Sequence, residues 1–215
     1  MNSLFVTATG TGVGKTYVTA LLCRQLRAQG RNVRALKPVI SGFDPDDHAD
    51  SDTALLLAAL DKLPNAANIE AMSPWRFRAP LSPDMAALRE SRDIDFAAVT
   101  DFCRVEDKDD VLVVEGVGGA MVPLTETRTV MDWMAVLGMP ALVVAGSYLG
   151  TISHTLTTVA AMQERGIAIA GVVVSESEES PVPLAETVAA IARFLDGVEV
   201  VPLARDGTDL PHMFG

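Results

Sequence analysis

The chain of 215 residues has few features of a secreted or membrane-bound protein. It contains only two cysteines, Cys23 and Cys103, without a Cys-x-x-Cys spacing. We expect both to be reduced thiols in or near the core of a cytosolic protein. No uninterrupted apolar run reaches the roughly 18 to 20 residues needed to span a bilayer. Residues 1–3 lack the basic region that opens a signal peptide, so a cytoplasmic protein without a membrane partner is predicted.

Basic side chains are also scarce, with 17 Lys and Arg against 28 Asp and Glu and a formal net charge of −11. Such a charge repels nucleic acids and anionic membranes, and neither is expected as a partner. The three histidines, His48, His154 and His212, do not have the spacing of metal ligands, so a zinc site is not expected. Hydrophobic residues make up 49% of the chain, which excludes a largely disordered protein.

The chain does contain apolar, β-branched stretches that alternate with helical stretches. The predicted strands are residues 4–7, 33–36, 111–114, 141–145, 167–174 and 198–201. The predicted helices are residues 17–29, 52–60, 96–105, 130–137, 153–165 and 184–195. Nearly continuous apolar strands are typical of sheets buried on both faces, and strands that alternate with helices favour parallel pairing. We predict an α/β fold, with a doubly wound, mostly parallel sheet and helices on both faces.

Three local patterns refine this prediction. The first helix has Val18, Leu21, Leu22 and Leu26 on one face and is expected to end at Gly30. Residues 62–83 contain several prolines and are expected to form an irregular loop of the kind that often binds a ligand. No internal repeat, low-complexity tract or linker divides the chain, so residues 1–215 are predicted to form a single domain.

The most informative motif is a glycine-rich turn after the first apolar stretch. Residues 4–16 read Leu-Phe-Val-Thr-Ala-Thr-Gly-Thr-Gly-Val-Gly-Lys-Thr and lead into the first predicted helix. Glycines let backbone N–H groups converge on phosphate oxygens, and a helix N-terminus favours negative charge. In such a P-loop, Lys15 contacts the β- and γ-phosphates and the Thr16 hydroxyl binds Mg²⁺. The motif indicates a nucleotide-dependent enzyme with a P-loop NTPase-like fold.

The loop is a variant of the standard pattern. Thr9 stands where that pattern has its first glycine, and Gly10 and Gly12 supply flexibility instead. The same two glycines begin a dinucleotide-binding fingerprint, but Lys15 occupies the place of its third glycine. That substitution counts against a dinucleotide-binding protein.

Two further segments are expected at the same edge of the sheet, because ligands bind beyond the carboxyl ends of parallel strands. Lys37 follows the second strand, which we expect to neighbour the first, and its ammonium group could stabilise charge on a phosphoryl group or a carboxylate-like substrate. Glu115 follows the strand 111–114, where P-loop enzymes place a magnesium-binding acid. The glycines of residues 116–119 would leave room for a ligand.

An acidic segment offers further candidate ligands. Its aspartates are Asp44, Asp46, Asp47, Asp50 and Asp52. Proteins usually hold Mg²⁺ with one or two carboxylates together with phosphates and water. Only one of these aspartates is therefore expected to be a ligand, and their spacing does not select it.

In order and over nearly the full length, these motifs resemble the dethiobiotin synthetase family. The matching segments are Thr9-x-Thr11-x-Val13-Gly14-Lys15-Thr16, Lys37-Pro38-Val39-x-Ser41-Gly42, Ser51-Asp52, Pro80-x-Ser82-Pro83, Glu115-Gly116-x-Gly118-Gly119, Pro123-Leu124, Asp132-Trp133 and Leu149-Gly150-Thr151-Ile152-x-His154. The resemblance implies a reaction of 7,8-diaminononanoate, CO2 and ATP that yields dethiobiotin, ADP and phosphate. One amine captures CO2 as a carbamate, ATP converts the carbamate to a carbamic-phosphoric anhydride, and the second amine closes the ring.

The resemblance also implies a role for individual residues. The implied catalytic residues are Lys37, Lys15 and Thr11, and the implied metal ligands for Mg²⁺ are Thr16, Asp52 and Glu115. The implied substrate-binding residues are Ser41, Gly150, Thr151, Ile152 and Ser153, where the last four precede a helix and bind the substrate carboxylate across the interface of a homodimer. The implied nucleotide-binding residues are Gly12, Val13, Gly14, Lys15, Thr16, Tyr17, Asp52, Glu115, Gly116, Val117, Gly118, Ser175, Pro202 and Leu203.

Four positions depart from the family pattern. Ala8 stands where glycine is frequent, Gly12 where some members have an acid, and Asp84 where histidine is common. Ser175 stands where well-known members have an asparagine that recognises adenine. A serine hydroxyl cannot reproduce the paired donor and acceptor of an amide. We therefore expect weaker selectivity for ATP over other nucleoside triphosphates.

Two other classes of P-loop protein remain as alternatives. A switch ATPase that acts on a protein partner would carry an extra lysine early in the glycine loop, and residues 8–14 contain none. A related ligase or amidotransferase would usually carry a glutaminase domain as well, for which 215 residues leave no room.

Overall fold

The computed structural model describes residues 2–104 and 111–211. Its strands are β1 (Ser3–Ala8), β2 (Val33–Leu36), β3 (Val39–Ser41), β4 (Trp75–Phe77), β5 (Val111–Glu115), β6 (Ala141–Ala145), β7 (Ile169–Ser175) and β8 (Val200–Leu203). Its helices are α1 (Lys15–Ala28), α2 (Asp52–Ala59), α3 (Ala66–Met72), α4 (Pro83–Arg89), α5 (Phe96–Phe102), α6 (Val130–Leu137), α7 (Thr151–Glu164) and α8 (Leu184–Ala192). Val105, the predicted end of one helix, and His212 lie outside the described residues.

Six of the strands form one parallel sheet in the order β2-β5-β1-β6-β7-β8, and β3 and β4 form a separate parallel pair. β1 lies at the centre, where Val6 is opposite Glu115 of β5 and Leu142 of β6. Because every neighbouring pair in the sheet is parallel, the carboxyl ends of the six strands share one edge. The predicted parallel α/β architecture is confirmed.

Successive residues of the central strands pack into two hydrophobic clusters on opposite faces of the sheet. Val6 and Val113 belong to the cluster that α1 and α2 cover, and the predicted apolar face of α1 is buried there. Phe5 and Val114 belong to the second cluster, which α6 and α7 cover. There the ring of Phe5 meets that of Trp133 edge to face, with 5.0 Å between centroids and 88° between planes. Helices therefore cover both faces of the sheet.

None of the helices within residues 2–104 and 111–211 combines the length and the apolar character needed to cross a membrane. Both cysteines are free and fully buried, as expected for core thiols. Burial raises the pKa of Cys23 and of Cys103 to about 12, so neither side chain is a thiolate at neutral pH.

The expectation of an irregular loop over residues 62–83 is wrong. This segment contains α3 and β4, and α4 begins at its end. β4 pairs in register with β3, with Ile40 opposite Arg76, and this pair supports the chain that follows Lys37. The strands have three residues each and α3 has seven, lengths too short to display a clear hydrophobic period.

The expected neighbour of the second strand is also wrong. β2 pairs with β5, with Ala35 opposite Val113, and β5 separates it from β1. The connection from β1 through α1 to β2 thus passes over one strand position. Lys37 still emerges at the edge that carries the glycine-rich turn, because parallel strands end at the same edge whatever their order.

Asp132 fixes the start of α6 and connects this helix to α7. Its carboxylate accepts hydrogen bonds from the backbone N–H and the hydroxyl of Thr129, both at 2.8 Å, and lies 2.8 Å from the guanidinium of Arg165. The Thr129 N–H is the main cause that holds the pKa of Asp132 at about 2, and Arg165 adds to it. The charged form of Asp132 is therefore stabilised in the folded state.

We expect Asp132→Asn to lower the free energy of unfolding by about 1 kcal/mol at pH 7. The folded pKa lies below the unfolded value of about 4, so this stabilisation is complete above pH 4 and is lost as the pH falls towards 2. Urea unfolding should show the difference between the variant and the wild type shrinking below pH 4 and disappearing only below pH 2. Asp101→Asn serves as the control, because Asp101 forms an exposed ion pair with Arg104. It should lower the free energy of unfolding by less than about 0.5 kcal/mol. Equal losses in the two variants at pH 7 would contradict the assignment.

Candidate nucleotide and substrate site

The helix that follows β1, α1, begins without a capping side chain. Gly14 is the N-cap residue of α1 and has a φ of 88°, in the left-handed region that favours glycine, and no side chain caps the helix. A Cβ atom at Gly14 would lie only 2.7 Å from Oγ of Ser175. The first N–H groups of α1 have no intrahelical partner, so they are available to bind an anion.

Lys37 lies near this turn and is surrounded by polar side chains and a backbone carbonyl group. Its Nζ atom is 2.7 Å from Oε1 of Glu115, 2.9 Å from Oδ2 of Asp52 and 2.8 Å from the carbonyl oxygen of Gly116. An ammonium group has three protons, and these contacts use all of them. Lys37 is 1% exposed and Glu115 is fully buried. Buried charges of this kind are tolerated only when they are paired and hydrogen-bonded.

Two residues of the first turn of α1 also approach Glu115. The Thr16 hydroxyl donates a hydrogen bond to Oε1 of Glu115 at 2.8 Å, and Nζ of Lys15 lies 3.7 Å from the same oxygen. Oε2 of Glu115 is buried and has no hydrogen-bond partner among the described residues. A buried carboxylate oxygen without a partner is unusual and is free to bind a ligand.

The charges in this group shift one another's pKa values. Burial, and then the Lys37 ammonium, lower the pKa of Lys15 to about 8. Burial also acts to lower the pKa of Lys37, but Glu115 and Asp52 outweigh it and raise that pKa above its ordinary value. Burial acts to raise the pKa of Asp52, but Lys37 outweighs it and holds the pKa at about 2. Of Lys15, Lys37 and Asp52, Lys15 is therefore the side chain with its pKa closest to neutral pH.

These residues line an open cleft of about 620 Å³ at the carboxyl edge of the sheet, a volume typical of small-molecule sites. The predicted site residues that line it are Thr11, Gly12, Gly14, Lys15, Thr16, Tyr17, Lys37, Ser41, Asp52, Val117 and Gly118. Glu115 and Gly116 contact Lys37 from beneath, and Val13 packs half-buried against the hydrophobic cluster on the α1 face. Together with residues 80–83, which also line the cleft, residues from five separate segments of the chain thus meet there.

The predicted carboxylate-binding turn lies elsewhere. Thr151 to Ser153 form the first turn of α7 rather than preceding the helix, and Gly150 is its N-cap residue. The Thr151 hydroxyl is buried and donates to the carbonyl oxygen of Gly146 at 2.7 Å, whereas Ile152 and Ser153 are exposed. Within the described part of the chain, none of residues 150–153 lines the cleft.

The last predicted nucleotide-binding residues lie at the ends of β7 and β8. Ser175 is opposite Leu203, and its hydroxyl lies beside Gly14. Pro202 is exposed, but the Leu203 side chain is only 2% exposed and packs in the hydrophobic cluster on the α1 face. The backbone is the part of Leu203 that reaches this edge, where its carbonyl oxygen accepts a hydrogen bond from Glu176.

Sequence reasoning missed the segment 204–210, which lies against α1 beside the cleft. The Tyr17 hydroxyl donates to the carbonyl oxygen of Gly207 at 2.7 Å. The Gln25 amide donates to the carbonyl oxygen of Leu210 at 2.9 Å and accepts from its N–H at 3.2 Å. No sequence pattern indicates these contacts, because Gln25 occupies an ordinary polar position of the helix. The apolar cleft residues Ile40, Leu81 and Val122 were missed for a similar reason: isolated apolar residues carry no chemical signature.

No cluster of three or more His, Cys, Asp or Glu side chains within residues 2–104 and 111–211 is arranged to hold a metal ion. The candidate oxygen ligands in the cleft are instead two carboxylates and one hydroxyl, on Asp52, Glu115 and Thr16. P-loop proteins hold Mg²⁺ with the hydroxyl of the phosphate-binding turn and an acid that follows a strand, positions that Thr16 and Glu115 occupy here.

The parallel sheet and the glycine-rich turn define a P-loop nucleotide-binding protein of the α/β class. A family model described as an AAA domain matches residues 2–203. The septum site-determining protein MinD from Pyrococcus horikoshii OT3, solved with Mg-ADP, superposes with a TM-score of 0.59 at 17% identity and covers 96% of this chain and 84% of that one. A ParA family ATPase from Chlorobium tepidum superposes with a TM-score of 0.56 at 14% identity, covering 95% and 85%. These likenesses concern the fold alone and confirm its P-loop NTPase-like type.

Close relatives identify the family. The chain is 48% identical over 211 residues to the ATP-dependent dethiobiotin synthetase of Acidiphilium cryptum. The alignment covers 97% of this chain and 94% of that relative. It is 48% identical over 215 residues to that of Methylobacterium nodulans, which covers 96% and 95%. The chain therefore belongs to the dethiobiotin synthetase family of ATP-dependent ligases, and the family resemblance predicted from its motifs is confirmed.

Proposed function

We propose that the protein converts 7,8-diaminononanoate, CO2 and ATP into dethiobiotin, ADP and phosphate in the cytoplasm. The observation that carries this proposal is the buried Lys37 ammonium group in the P-loop cleft of a chain with relatives of that name. The phosphate motif itself requires only Lys15. Lys37 is a second buried lysine in the cleft, so it is available for a further anionic group if its contact with Asp52 is exchanged, and a carbamate is such a group.

In this proposal, the glycine-rich turn and Lys15 bind the phosphates of ATP, and Thr16, Asp52 and Glu115 hold Mg²⁺. The Thr16 hydroxyl and Oε1 of Glu115 are 2.8 Å apart. That hydrogen bond brings two oxygen atoms of the kind that Mg²⁺ prefers to one place in the cleft. Oε2 of Glu115 also has no partner among the described residues, and hard oxygen ligands are those that Mg²⁺ prefers. When bound, the ion would supply positive charge beside the phosphates.

Carbamate formation comes first. The lone pair of one substrate amine attacks the carbon of CO2, and the nitrogen loses a proton to solvent as the carbamate forms. Ser41 lines the cleft, and its buried Oγ has no hydrogen-bond partner among the described residues, so it can bind the amine end. Thr11 would hydrogen-bond the carbamate. Lys37 would hold the carbamate charge by giving up its contact with Asp52, whose side chain is 38% exposed and would then bind Mg²⁺.

Phosphoryl transfer and ring closure follow. A carbamate oxygen attacks the γ-phosphorus in line, and ADP leaves while Lys15 and Lys37 stabilise the charge that develops on the transferred group. The second amine then attacks the carbonyl carbon of the mixed anhydride. Phosphate leaves, the second amine loses a proton, and the cyclic urea is complete.

The substrate carboxylate is proposed to bind residues 150–153 of a partner subunit in a homodimer. No side chain caps α7; the Thr151 N–H donates to the carbonyl oxygen of Tyr148 at 3.1 Å, which leaves the N–H groups of Ile152 and Ser153 for an anion. The same residues do not line the cleft of their own chain, as the described residues define it, which favours a role in the partner's cleft. Leu149 is 85% exposed and Ile152 38%, so a subunit interface here would remove apolar surface from water.

A coupled assay for ADP release tests the proposed function. The complete mixture contains Mg²⁺, bicarbonate, ATP and 7,8-diaminononanoate, and each component is left out in turn. ADP release that needs both the diamine and bicarbonate, with dethiobiotin identified by mass spectrometry, is the expected result. ATP hydrolysis that is indifferent to the diamine would contradict the proposal and favour the P-loop switch ATPase.

Ser175 should make the enzyme tolerant of the nucleotide base. With its short hydroxyl beside Gly14, we expect kcat/KM for ATP to exceed that for CTP or GTP by less than about tenfold. Ser175→Asn would supply a paired donor and acceptor and should raise this ratio. Ser175→Ala, which adds no amide, serves as the matched comparison and should leave the ratio unchanged. A strong preference for ATP in the wild type would refute the expectation.

A further inference from the structure

A reciprocal pair of hydrogen bonds connects the loop after β6 to the loop after β7. The N–H of Ser147 donates to Oγ of Ser177 at 2.9 Å, and the N–H of Ser177 donates to Oγ of Ser147 at 2.8 Å. The Ser180 hydroxyl donates to the carbonyl oxygen of Ser147 at 3.1 Å. The N–H, hydroxyl and carbonyl of Ser147 are thus all bound by the loop after β7, and Ser147 is only 1% exposed.

The connection continues directly into the turn that starts α7. A Cβ atom at Gly146 would lie 2.7 Å from Oγ of Ser177, so the two loops approach this closely only because residue 146 is glycine. The carbonyl oxygen of Gly146 accepts the hydrogen bond from the hydroxyl of Thr151, the first residue of α7. The position of Ser177 therefore helps to fix, through Ser147 and Gly146, the position of the turn 150–153.

The opposite end of the connection lies beside the phosphate-binding turn. Ser175, two residues before Ser177, ends β7 with its hydroxyl next to Gly14. Between them, the N–H of Glu176 donates to the carbonyl oxygen of Leu203 at 2.9 Å, and its carboxylate accepts from the N–H of Arg205 at 3.1 Å. These contacts fix the loop after β7 relative to the nucleotide side of the cleft.

We propose that Ser147 and Ser177 are positioning residues that hold the turn 150–153 in place for the substrate carboxylate, a role that rests on the proposed function. Neither residue lines the cleft in the described part of the chain. Without the pair, the loop after β6 would keep one bond to the loop after β7, from Ser180 to the Ser147 carbonyl oxygen at 3.1 Å. Its other bonds lie within itself, from Thr151 to Gly146 at 2.7 Å and between Tyr148 and His154 at 2.9 Å. Backbone N–H groups bind a carboxylate only when they converge on it, so a small displacement of the turn weakens binding.

Ser177→Ala removes one acceptor of the pair and tests this role. We expect KM for 7,8-diaminononanoate to rise about tenfold, with kcat and KM for ATP within about twofold of the wild type. Ser177→Thr retains the hydroxyl and should restore KM. Ser147→Ala, which removes the reciprocal bond, should reproduce the effect and replaces Ser177→Ala if that variant does not fold. Thr127→Ala, at an exposed loop position, serves as the control.

A substrate without a carboxylate separates positioning from a general structural effect. With the carboxamide of 7,8-diaminononanoate, KM of the wild type and of Ser177→Ala should agree within about twofold. An unchanged KM for 7,8-diaminononanoate in Ser177→Ala, or an equal rise with the carboxamide, would overturn the inference alone. Failure of the wild type to release ADP in response to the diamine would instead overturn the proposed function and this inference with it.

Discussion

Replacing Lys37 by methionine is expected to lower kcat for dethiobiotin formation by roughly 100- to 1,000-fold and to leave nucleotide binding nearly intact. Methionine keeps a similar length but removes the ammonium group that is proposed to hold the carbamate and to stabilise phosphoryl transfer. The phosphate-binding turn is untouched, because the N-terminus of α1 has backbone groups rather than a side chain at its cap. The coupled ADP-release assay gives kcat, and calorimetry gives the dissociation constant for ADP.

The same substitution leaves Glu115 and Asp52 without their buried cation. We expect the free energy of unfolding to fall by about 3 kcal/mol, because the fully buried Glu115 would keep only the Thr16 hydroxyl at 2.8 Å and Lys15 at 3.7 Å as partners. The double variant Lys37→Met/Glu115→Gln removes that charge and should recover part of the stability but none of the turnover. Lys62→Met, at an exposed position, should change neither quantity. Turnover by Lys37→Met within tenfold of the wild type would contradict the proposed role.

The parts of the site that sequence reasoning reached are those set by local chemistry. The segment Gly14-Lys15-Thr16 between an apolar strand and a helix predicts a phosphate-binding turn without further information, because few other functions need that order. Glu115 and Lys37 were selected only as residues that follow strands. That reasoning brought them to the correct edge even though β5 separates β2 from β1, because all strands of a parallel sheet end at one edge.

The parts that the residue pattern alone did not reach depend on contacts between distant segments. Nothing in the spacing of five aspartates selects Asp52, which only the family resemblance singled out. In the structure, the Ser51 hydroxyl caps α2, and Asp52 in its first turn lies 2.9 Å from Nζ of Lys37. The strand order and the β3–β4 pair are likewise decided by which distant residues pack together. Strands of three residues have too few positions to reveal an alternating pattern.

Nucleotide affinity is expected to fall as the pH rises through 8, because Lys15 must be charged to bind phosphates. Burial and the Lys37 ammonium lower the pKa of Lys15 to about 8, and a bound polyphosphate would raise it again. At pH 7 most molecules carry the charged form, and at pH 9 most carry the neutral form. The affinity for ADP should therefore drop roughly tenfold between pH 7 and pH 9. Calorimetry in EDTA measures the affinity for ADP in the absence of Mg²⁺, which would otherwise compete with Lys15 for Glu115.

Variants at Lys15 then distinguish the titration of this side chain from other effects of pH. Lys15→Arg keeps its charge over this range and should bind ADP with little dependence on pH. Lys15→Met should bind ADP about 100-fold more weakly at pH 7 and should also show little pH dependence, because it has no proton to lose. An ADP affinity that stays constant up to pH 9.5 in the wild type would show that Lys15 remains charged despite its burial. A pH dependence that persists in Lys15→Met would assign the titration to a group other than Lys15.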